Sequence, residues 1–515
     1  MILTQLIQRA ALLKPNQVAT ICQDRQKTWA ESVERVARLA GAFRDLGIAP
    51  GDRIAILSLN SDRYFEYYYA VPWAGGVTMP MNTRWADAES DFVLKDAAPK
   101  LLIVDDAFAD YGMSVLKRGG VVEQVIFAGD GPIPDGMPGF ETMIEQSSPV
   151  EDIRRGYEDL AGIYYTGGTT GFPKGVMLSH RNLWSSGIIN VTALQDIPSD
   201  GAHLHIAPMF HLADMMRVTS MTMTCHRHVF LPKFDPQTVL ETIADHRVSH
   251  TFMVPTMLTM LLEHPGFDQY DLSTLVNIEY GGAPMPLSLL RKAFAMLPDI
   301  QFQQGYGQTE LAPMVSMLAP QDHDPDGDNA HRLKSVGKPC VGIFVKIVDE
   351  SLQEVTCGEV GQLAVSSPGA MKGYWGNQEQ TDRTLVDGWV LTGDAGYMDQ
   401  DGYLYLVDRV KDMIISGGEN VFSAEVEKAV SDHPAVIEVA VIGEPHKKWG
   451  ESVHAIIRLE EGSSVTSQEI IEHCRKQIAG YKCPRHVTFR KQHFPLTGVG
   501  KIKKDELRKM YFGMS

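Results

Sequence analysis

The sequence predicts an α/β protein with a large N-terminal domain of mostly parallel, buried sheets and a small α+β C-terminal domain. At 515 residues the chain is too long for a single hydrophobic core. Helical patterns alternate with short apolar runs, an order typical of parallel sheets covered by helices on both faces. Near Arg409 the density of Lys and Glu rises and a new strand–loop–helix pattern begins. We therefore expect a domain boundary there.

The alternation can be followed element by element. Thr28 and Glu31 form a capping-box pattern at the start of an amphipathic helix. The largely apolar run Arg53–Leu59 then predicts a strand. The same order recurs, and the further predicted strands are Val248–Val254, Leu275–Tyr280 and Ile300–Gln304. Beyond the expected boundary, Ser423 is predicted as the N-cap of a helix.

The composition narrows the class of protein. A net charge of −17 makes nucleic acid and anionic lipid poor partners, because an acidic surface repels both. The six cysteines show no C-x-x-C spacing, which argues against a zinc ribbon or a disulfide framework and favours a reducing compartment. The first residues resemble an amphipathic helix rather than a signal peptide, and no window reaches the roughly 18 apolar residues of a membrane span. We expect a cytoplasmic protein, and a homodimer is left open.

Three glycine-rich loops follow predicted strands. They are TGGTTG at Thr166–Gly171, YGGAP at Tyr280–Pro284 and GYGQTE at Gly305–Glu310. In parallel α/β sheets, ligands bind beyond the carboxyl ends of the strands. The shared position of the three loops therefore predicts one ligand cleft.

The first loop is suited to phosphate. Its glycines allow backbone N–H groups to converge on an anion, its threonines add hydroxyl donors, and Lys174 adds a positive charge. It differs from a Walker loop, because Pro173 precedes the lysine and the G-x-x-x-x-G-K-[ST] order is missing. On its own the loop is compatible with an ordinary polar turn.

GYGQTE carries groups that suit a metal–nucleotide complex. Thr309 can donate to a phosphate, and Glu310 is a hard oxygen ligand of the kind that Mg²⁺ prefers. Tyr306 offers a flat face to a base. The alternative for this stretch alone is a strand end with a capping acid.

Two later stretches add further polar groups. Asp394 can accept hydrogen bonds from a ribose diol, and Arg409 can donate to the same sugar. Lys501, on a glycine loop near the C-terminus, can be carried into a site as a mobile cation and offset charge on a pentavalent phosphorus. The alternatives are β-turns with a surface arginine, and a solvated lysine in a basic tail.

Together these stretches resemble the AMP-forming acyl-CoA synthetases (fatty-acid–CoA ligase-like) of the adenylate-forming superfamily, which includes firefly luciferase and peptide-synthetase adenylation domains. The resemblance runs from about Thr28 to Arg508. The motifs that carry it are the first loop, GYGQTE, GYW at Gly373–Trp375, TGD at Thr392–Asp394, R-x-K-D from Arg409 and the final Gly500-Lys501. It implies an N-terminal domain over 1–408 with a β-barrel-like part, a hinge at 409–411 and a mobile lid domain over 412–515.

The resemblance implies two half-reactions in one site. A carboxylate attacks the α-phosphate of ATP and displaces pyrophosphate, giving an acyl-adenylate. The small domain then rotates about Lys411, withdraws Lys501 and presents Gly417 and Gly418 beside the pantetheine channel. The thiolate of CoA attacks the adenylate and releases AMP. ATP, Mg²⁺ and CoA are thus the implied substrates and cofactors.

The resemblance also assigns roles. Glu310, with Thr166, attends Mg²⁺, and Lys501 bridges the carboxylate and the phosphate. The implied catalytic residues are Lys174, His211, Thr309, Glu310 and Lys501. The implied contacts to ATP or AMP are Thr166, Gly167, Gly168, Thr169, Thr170 and Lys174 at the phosphates, Gly281, Gly282, Ala283, Pro284, Gly305, Tyr306, Gly307 and Gln308 around adenine, Thr309 at the α-phosphate, Asp394 and Arg409 at the ribose, and Lys501.

The identity of the acid rests on fewer residues. The implied acyl pocket contains Phe210, His211 and Gly281. Because His211 stands where amino-acid adenylators carry aspartate, an amino acid is less favoured, although Asp214 is close in sequence. Nearby methionines can line an apolar tunnel or fill core. A medium- or long-chain fatty acid is favoured. The alternatives are an aryl acid of the cinnamate or benzoate type and a stand-alone enzyme that loads a carrier protein.

Two residues depart from the family pattern, and two further stretches resemble metal sites. Asp408 stands where many members have glycine, and Gly167 where many have Ser or Thr. The acidic stretch Asp322–Gly327 lacks the glutamate that a calcium loop requires at its twelfth position. His203 and His205 can share a strand face, but no further ligand set is evident, so a zinc site is not expected.

Overall fold

Helices and strands alternate along most of the chain, as the sequence predicts. The computed structural model describes residues 1–166, 173–194, 197–283, 285–409, 412–416, 419–460, 462–496 and 502–513. The chain divides into two compact units, Met1–Phe344 with Val365–Val390, and Val345–Ala364 with Leu391–Ser515. The hinge at 409–411 stays a prediction.

The first unit contains twelve of the described helices and the second unit three. The helices are α1 (Thr4–Leu13), α2 (Trp29–Asp45), α3 (Asp62–Ala74), α4 (Asp87–Ala97), α5 (Ala109–Arg118), α6 (Phe140–Gln146), α7 (His180–Ala193), α8 (Leu212–Met223), α9 (Pro236–His246), α10 (Pro255–Leu262), α11 (Leu287–Met296), α12 (Gln378–Thr384), α13 (Ser423–Ser431), α14 (Ser467–Arg475) and α15 (Lys504–Phe512). None of these helices has the length and the apolar run that crossing a bilayer requires.

The strands contain between 2 and 11 residues. They are β1 (Val18–Cys22), β2 (Arg25–Thr28), β3 (Arg53–Leu57), β4 (Val77–Pro80), β5 (Leu101–Val104), β6 (Gln124–Phe127), β7 (Leu160–Thr166), β8 (Lys174–Ser179), β9 (Ala202–His205), β10 (Arg227–Phe230), β11 (His250–Met253), β12 (Asn277–Gly281), β13 (Gln301–Gly307), β14 (Met314–Leu318), β15 (Lys338–Pro339), β16 (Phe344–Val348), β17 (Gly361–Ser366), β18 (Gly373–Tyr374), β19 (Leu385–Val386), β20 (Trp389–Met398), β21 (Leu404–Arg409), β22 (Ile414–Ser416), β23 (Glu419–Val421), β24 (Val436–His446), β25 (Gly450–Leu459) and β26 (His486–Phe489).

Two sheets dominate the first unit. One has nine strands in the order β15-β14-β13-β12-β11-β9-β10-β1-β2, and the other has seven in the order β18-β8-β7-β4-β3-β5-β6. Their central strands are parallel, from β1 through β10, β9, β11 and β12 to β13 and from β7 through β4 and β3 to β6. The predicted α/β class with parallel-rich sheets is confirmed.

The core of the first unit explains why the central strands of its seven-stranded sheet are largely apolar. In the seven-stranded sheet, the side chains of Ile54, Leu102 and Val125 are fully buried. The aromatic helix α3 is buried on every side. It begins where the Ser61 hydroxyl accepts the N–H of Tyr64 (3.1 Å).

The predicted capping box at α2 is confirmed. The Thr28 hydroxyl accepts the N–H of Glu31 (3.2 Å), and the Glu31 carboxylate accepts the N–H of Thr28 (2.7 Å). Both bonds use residues within one helical turn, which is why the sequence alone predicts them.

In the second unit, β23, β22, β25 and β24 form a sheet in that order, and β26 runs parallel to β25. Helices α13 and α14 cover one face, where Val426 and Ile470 are fully buried against the sheet. Helix α15 covers the other face through Leu507. This small α+β unit agrees with the predicted C-terminal domain.

Residues 345–364 and 391–409 belong to a further sheet that contains β16, β17, β20 and β21. The barrel-like part stays a prediction.

The helix predicted after the boundary exists, but the predicted cap is wrong. Ser423 is the first helical residue of α13, and Phe422 occupies the N-cap position. The cap comes from β21: the Asp408 carboxylate accepts hydrogen bonds from the Ser423 hydroxyl (2.7 Å) and the Ala424 N–H (3.2 Å). A cap supplied from 15 residues away leaves no local signature.

Candidate active site

The predicted phosphate loop connects two antiparallel strands. Thr166 at the end of β7 pairs directly with Lys174 at the start of β8, so the two outer residues of the loop lie side by side. Its inner members, Gly167, Gly168, Thr169 and Thr170, lie outside the described residues. The Lys174 ammonium is 3.2 Å from Oε1 of Gln380.

Tyr374 links this hairpin to the GYGQTE segment. The Lys174 ammonium lies 5.7 Å from the centre of the Tyr374 ring. The Tyr374 hydroxyl donates to Oε1 of Glu310 (2.8 Å), and the Met371 N–H donates to the Glu310 carbonyl (2.9 Å). Burial raises the pKa of Tyr374, and the Glu310 carboxylate raises it further. The phenol therefore stays protonated and remains a donor to Glu310.

Sequence reasoning gave Tyr374 no role, although it lies in the quoted GYW motif. Tyr374 belongs to β18, which pairs with β8. β8 is the second strand of the hairpin β7–β8 that carries the predicted phosphate loop, called the phosphate hairpin below. The sequence offered one signal for such a role, since tyrosine is the residue of the GYW motif that carries a hydroxyl. Its partner, 64 residues away, was not apparent from spacing.

The other two glycine loops lie on neighbouring strands. Gly281 of β12 pairs with Gly305 of β13, so the YGGAP and GYGQTE segments start from adjacent positions. A Cβ on Gly281 would lie 2.5 Å from the Gly305 carbonyl oxygen, and a Cβ on Gly307 would lie 1.7 Å from that of Pro313. Only glycine fits at these two positions. Gly282 adopts a left-handed conformation, with φ of 76°.

The remaining predicted residues of these loops are partly accessible. Ala283, Tyr306, Gln308 and Thr309 are exposed or half-buried near the ends of β12 and β13. The Gln308 N–H donates to the Pro313 carbonyl (2.8 Å), which fixes the turn before Thr309. Pro284 lies outside the described residues.

The predicted acyl-pocket segment is held by buried hydrogen bonds. The Tyr68 hydroxyl donates to the Met209 carbonyl (2.5 Å), and Asn60 accepts the Met209 N–H (2.8 Å). These contacts position Phe210 and His211, whose ring centres are 4.4 Å apart. Burial, with a smaller effect of Arg84, lowers the pKa of His211 to about 4. His211 is therefore neutral at pH 7.

The packing shows what Asp214 and two of the nearby methionines do, which the sequence left open. Asp214 is fully buried, and its Oδ2 lies 2.9 Å from Nδ1 of His205, so it is engaged inside the core. Met209 and Met215 belong to the main hydrophobic cluster of the first unit. These methionines fill core.

A buried ion pair lies under the glycine strands. Arg217 of α8 contacts Oε1 of Glu279 at 2.5 Å, with side chains only 2% and 4% exposed. Glu279 lies two residues before Gly281, and its Oε1 would be 3.1 Å from a Cβ on Gly305. The Arg217 guanidinium also lies 4.1 Å from the centre of the Phe252 ring. Sequence reasoning missed this pair, although an arginine inside the buried, methionine-rich α8 was a signal.

More buried polar groups surround the ion pair. The side chains that enclose the narrow space around the ion pair are those of Asn190, Leu194, His203, Arg217, Met221, His250, Thr251, Asn277 and Glu279. Within the described parts of the chain, the side-chain amides of Asn190 and Asn277 and both ring nitrogens of His203 have no hydrogen-bond partner. These side chains pack too closely to leave space for a water molecule between them.

In the second unit, the two predicted ribose residues face each other. Asp394 of β20 pairs with Arg409 of β21, and the guanidinium Nε lies 2.7 Å from Oδ1 of Asp394. Asp394 is almost buried and Arg409 is 44% exposed. The pair combines an acceptor and a donor at one position, which suits a diol. Lys411, Gly417, Gly418 and Lys501 lie outside the described residues.

The fold and these motifs define an AMP-forming acyl-CoA synthetase of the adenylate-forming superfamily. The family model described as AMP-binding enzyme matches residues 7–375, and that of the AMP-binding enzyme C-terminal domain matches residues 425–501. The chain therefore belongs to the AMP-binding enzyme family, and it is an acid–thiol ligase.

Individual relatives align over nearly the whole chain. A feruloyl-CoA synthase of Amycolatopsis sp is 38% identical over 508 residues, covering 98% of each chain. The fatty acid–[acyl-carrier-protein] ligase ScoC of Streptomyces coeruleorubidus is 33% identical, covering 98% of this chain and 95% of its own. The crystal structure of ATP-bound MatB from Rhodopseudomonas palustris, 30% identical, superposes with a TM-score of 0.86 over 99% of both chains.

The lowered pKa of His211 predicts a pH-dependent contribution to stability. Its ordinary pKa is about 6.5, so between pH 6.5 and 4 the unfolded chain binds a proton that the folded chain does not. The free energy of unfolding should therefore fall as the pH drops through this window and level off below about 4. Urea unfolding of the wild type and of His211→Gln at several pH values measures this effect. The difference in the free energy of unfolding between the two proteins should change with pH.

The matched control is His493→Gln, since His493 is 80% exposed in its side chain. Parallel pH curves for the wild type and His211→Gln would contradict the lowered pKa of His211.

Proposed function

We propose that this enzyme activates a carboxylic acid with ATP, releasing pyrophosphate, and transfers the acyl group from the adenylate to CoA, releasing AMP. The observation that carries the proposal is the contact of Glu310 with Tyr374 beside the phosphate hairpin. It gathers a carboxylate, a phenol and the Lys174 ammonium near the place where a triphosphate is expected. Their charges and donors suit a metal–nucleotide complex.

The phosphate end of the site is assigned as follows. Thr166 and Lys174, paired at the base of the loop, bind the β- and γ-phosphates together with loop residues 167–172. Lys174 neutralises part of the charge that moves onto pyrophosphate as it leaves. The cation–π contact with Tyr374 and the contact with Gln380 hold this lysine in position.

Glu310 and Thr166 are the residues that would hold Mg²⁺. A carboxylate and a hydroxyl are hard oxygen ligands, and Mg²⁺ is usually bound by one or two carboxylates together with substrate phosphates. When bound, the ion supplies charge stabilisation at the phosphates. Tyr374 orients the Glu310 carboxylate by its hydrogen bond and is a positioning residue.

The rest of the nucleotide is assigned to the glycine strands and the second unit. Gly281, Gly282, Ala283, Pro284 and the segment Gly305–Gln308 flank adenine, and within this segment Tyr306 offers a flat face to the base. Thr309 donates to the α-phosphate. Asp394 and Arg409 bind the ribose hydroxyls. Lys501 bridges the attacking carboxylate and the α-phosphate, and Gly417 and Gly418 line the approach of CoA after rotation about Lys411.

For the acid, we propose an aryl acid that carries a hydroxyl or another hydrogen-bonding group at its far end. Two of the predicted pocket residues are close in sequence to the buried pair: His211 precedes α8, which carries Arg217, and Gly281 lies on β12 with Glu279. A hydroxyl can donate to Glu279 or accept from Arg217. A buried polar site of this kind rejects an analogue that lacks the hydroxyl, because the protein groups are then left unpaired.

An alkyl chain fits this arrangement less well. Its methyl end would press against an ion pair and three further polar side chains, Asn190, His203 and Asn277, which it cannot satisfy. The feruloyl-CoA synthase at 38% identity supports the aryl acid. Met221 is the adaptable member of the lining and would change rotamer to admit the ring.

The fatty acid favoured by the sequence stays the second candidate, and a carrier protein stays a second candidate acceptor. The name of the relative ScoC supports both. Acids of the two classes, tested with CoA and with an acyl-carrier protein, separate these alternatives by pyrophosphate release and by thioester analysis. We also propose a cytoplasmic location, in keeping with the acidic composition and the unpaired cysteines.

Glu310→Gln should lower acid-dependent pyrophosphate release by about a hundredfold or more, since it removes a charged metal ligand. Tyr374→Phe should raise the Mg²⁺ concentration needed for half-maximal rate roughly tenfold, because one hydrogen bond to a charged group is lost. Tyr111→Phe, which removes a tyrosine–carboxylate bond of the same length to Asp91, is the matched control. A Tyr374→Phe variant with an unchanged Mg²⁺ requirement would refute the positioning role.

Lys501→Ala should abolish adenylate formation but leave thioester formation from supplied acyl-adenylate and CoA largely intact, because the lysine serves only the first half-reaction. Rapid-quench assays of the two half-reactions measure this separately. Lys503→Ala, which removes a lysine that pairs with Glu506, is the control. Equal loss of both half-reactions would mean that the role is misassigned.

Replacing both members of the buried pair, Arg217→Met with Glu279→Gln, should shift the ratio of kcat/KM for hydroxylated aryl acid over alkyl acid at least tenfold towards the alkyl acid. Both residues are changed together because removing one would leave an unpaired buried charge. The control is Arg35→Met with Glu66→Gln, a buried pair elsewhere in the first unit. If the wild type prefers the alkyl acid, or if the ratio is the same in both double variants, the assigned acid class is wrong, while the adenylating activity itself would still stand.

A further inference from the structure

Three side chains of the second unit meet on one face of its sheet. They are Glu444 of β24, His454 of β25 and His486 of β26. His454 and His486 are direct partners across the parallel strands β25 and β26. On β24, His454 is opposite Ile442, so Glu444, two residues further on, points to the same face.

The ligand atoms of this cluster are close enough to share one ion. One nitrogen of each histidine and one oxygen of Glu444 all lie within 4.8 Å of one another. Nδ1 of His454 is 3.9 Å from Oε2 of Glu444, and Nδ1 of His486 is hydrogen-bonded to the same oxygen. Two imidazoles and a carboxylate, with an open side, form a common ligand set for a divalent transition metal.

The second ring nitrogen of His454 is already engaged. Nε2 of His454 is 2.8 Å from the hydroxyl oxygen of Thr488 on β26. When Nε2–H donates to this hydroxyl, Nδ1 presents its lone pair to the cluster. Nδ1 is buried and has no hydrogen-bond partner among the residues that the structure describes. A hydrogen bond that sets the tautomer of a ligating histidine is the usual outer contact of a metal site.

The exposure of the three side chains agrees with metal binding. The side chains of His454 and Glu444 are largely buried, whereas His486 is 57% exposed and leaves room for water or another ligand on its side.

The first unit contains a comparable group, but its central histidine has no ring nitrogen available for an ion. His203, His205 and Asp214 also lie within reach of one another. There, however, Nδ1 of His205 contacts Asp214 and Nε2 contacts His228, so both nitrogens of the central histidine are used.

We propose that Glu444, His454 and His486 bind a divalent transition-metal ion of the Zn²⁺ type. Such an ion is distinct from the Mg²⁺ expected with ATP, because imidazole ligands discriminate against magnesium. The ion connects β24 directly to β26, two strands that each pair with β25. It therefore stabilises the second unit.

The test uses the full-length protein after treatment with a chelator and dialysis. Zn²⁺ alone is the probe, and bound metal is counted by equilibrium dialysis with elemental analysis. One ion per chain is expected, with affinity lowered at least about tenfold in His486→Ala and in Glu444→Gln. His493→Ala is the matched control, because it removes an exposed histidine that contacts another glutamate, Glu438 at 3.6 Å, in the same unit.

A second measurement guards against misfolding of the variants. His486 is exposed, so His486→Ala should retain the circular dichroism and the metal-free melting temperature of the wild type while losing the increase in melting temperature on adding Zn²⁺. The proposal is overturned if Zn²⁺ does not bind at about 100 µM, if His486→Ala and Glu444→Gln bind as tightly as the control, or if Mg²⁺ competes at equal concentration.

Discussion

The hydrogen bond from Tyr374 to Glu310 is the contact on which the proposed catalytic arrangement depends. Tyr374 is attached through β18 and β8 to the seven-stranded sheet, and Glu310 lies three residues after the end of β13 in the nine-stranded sheet. The bond therefore connects the sheet of the phosphate hairpin with the sheet that carries the other two glycine loops. Because Lys174 rests on the same tyrosine ring, one residue fixes both the cation and the carboxylate of the site.

Features determined by local sequence could be predicted. The capping box of Thr28 and Glu31 lies within one turn, and the alternation of helices and apolar strands indicates parallel sheets whatever the partners are. The glycine-rich loops could also be predicted, and the structure gives the reason for one of their glycines: a side chain at Gly307 would collide with the backbone. The order of the motifs then implied the family, which the comparisons established.

Contacts between residues far apart in sequence could not be predicted. Tyr374 with Glu310, Arg217 with Glu279, and Asp408 with Ser423 are each created by strand order rather than by spacing. The last pair also explains a departure from the family. The aspartate at 408, where many members have glycine, caps α13, whereas local reasoning assigned that role to Ser423.

Under the proposed function, the buried pair of Arg217 and Glu279 serves specificity rather than stability. Removing two charges from water costs several kcal/mol per ion, and a well-packed apolar pair is often at least as stable. Such a pair is useful beside a pocket, because a substrate that cannot hydrogen-bond to it is penalised. Relatives named for an aryl acid and for a fatty acid are both similar to this chain, at 38% and 33% identity. Under the proposed function, the buried pair is the feature that discriminates between the two acids.

The most direct test of the central claim is the identity of the nucleotide products. The protein is incubated with Mg²⁺, ATP and a hydroxylated aryl acid, then with CoA, and the products are separated by chromatography. We predict AMP and pyrophosphate in equal amounts, formed only when an acid is present, with an acyl-CoA thioester appearing after CoA is added. Formation of ADP and inorganic phosphate, or ATP cleavage that is independent of every aryl and alkyl acid tested, would contradict the account.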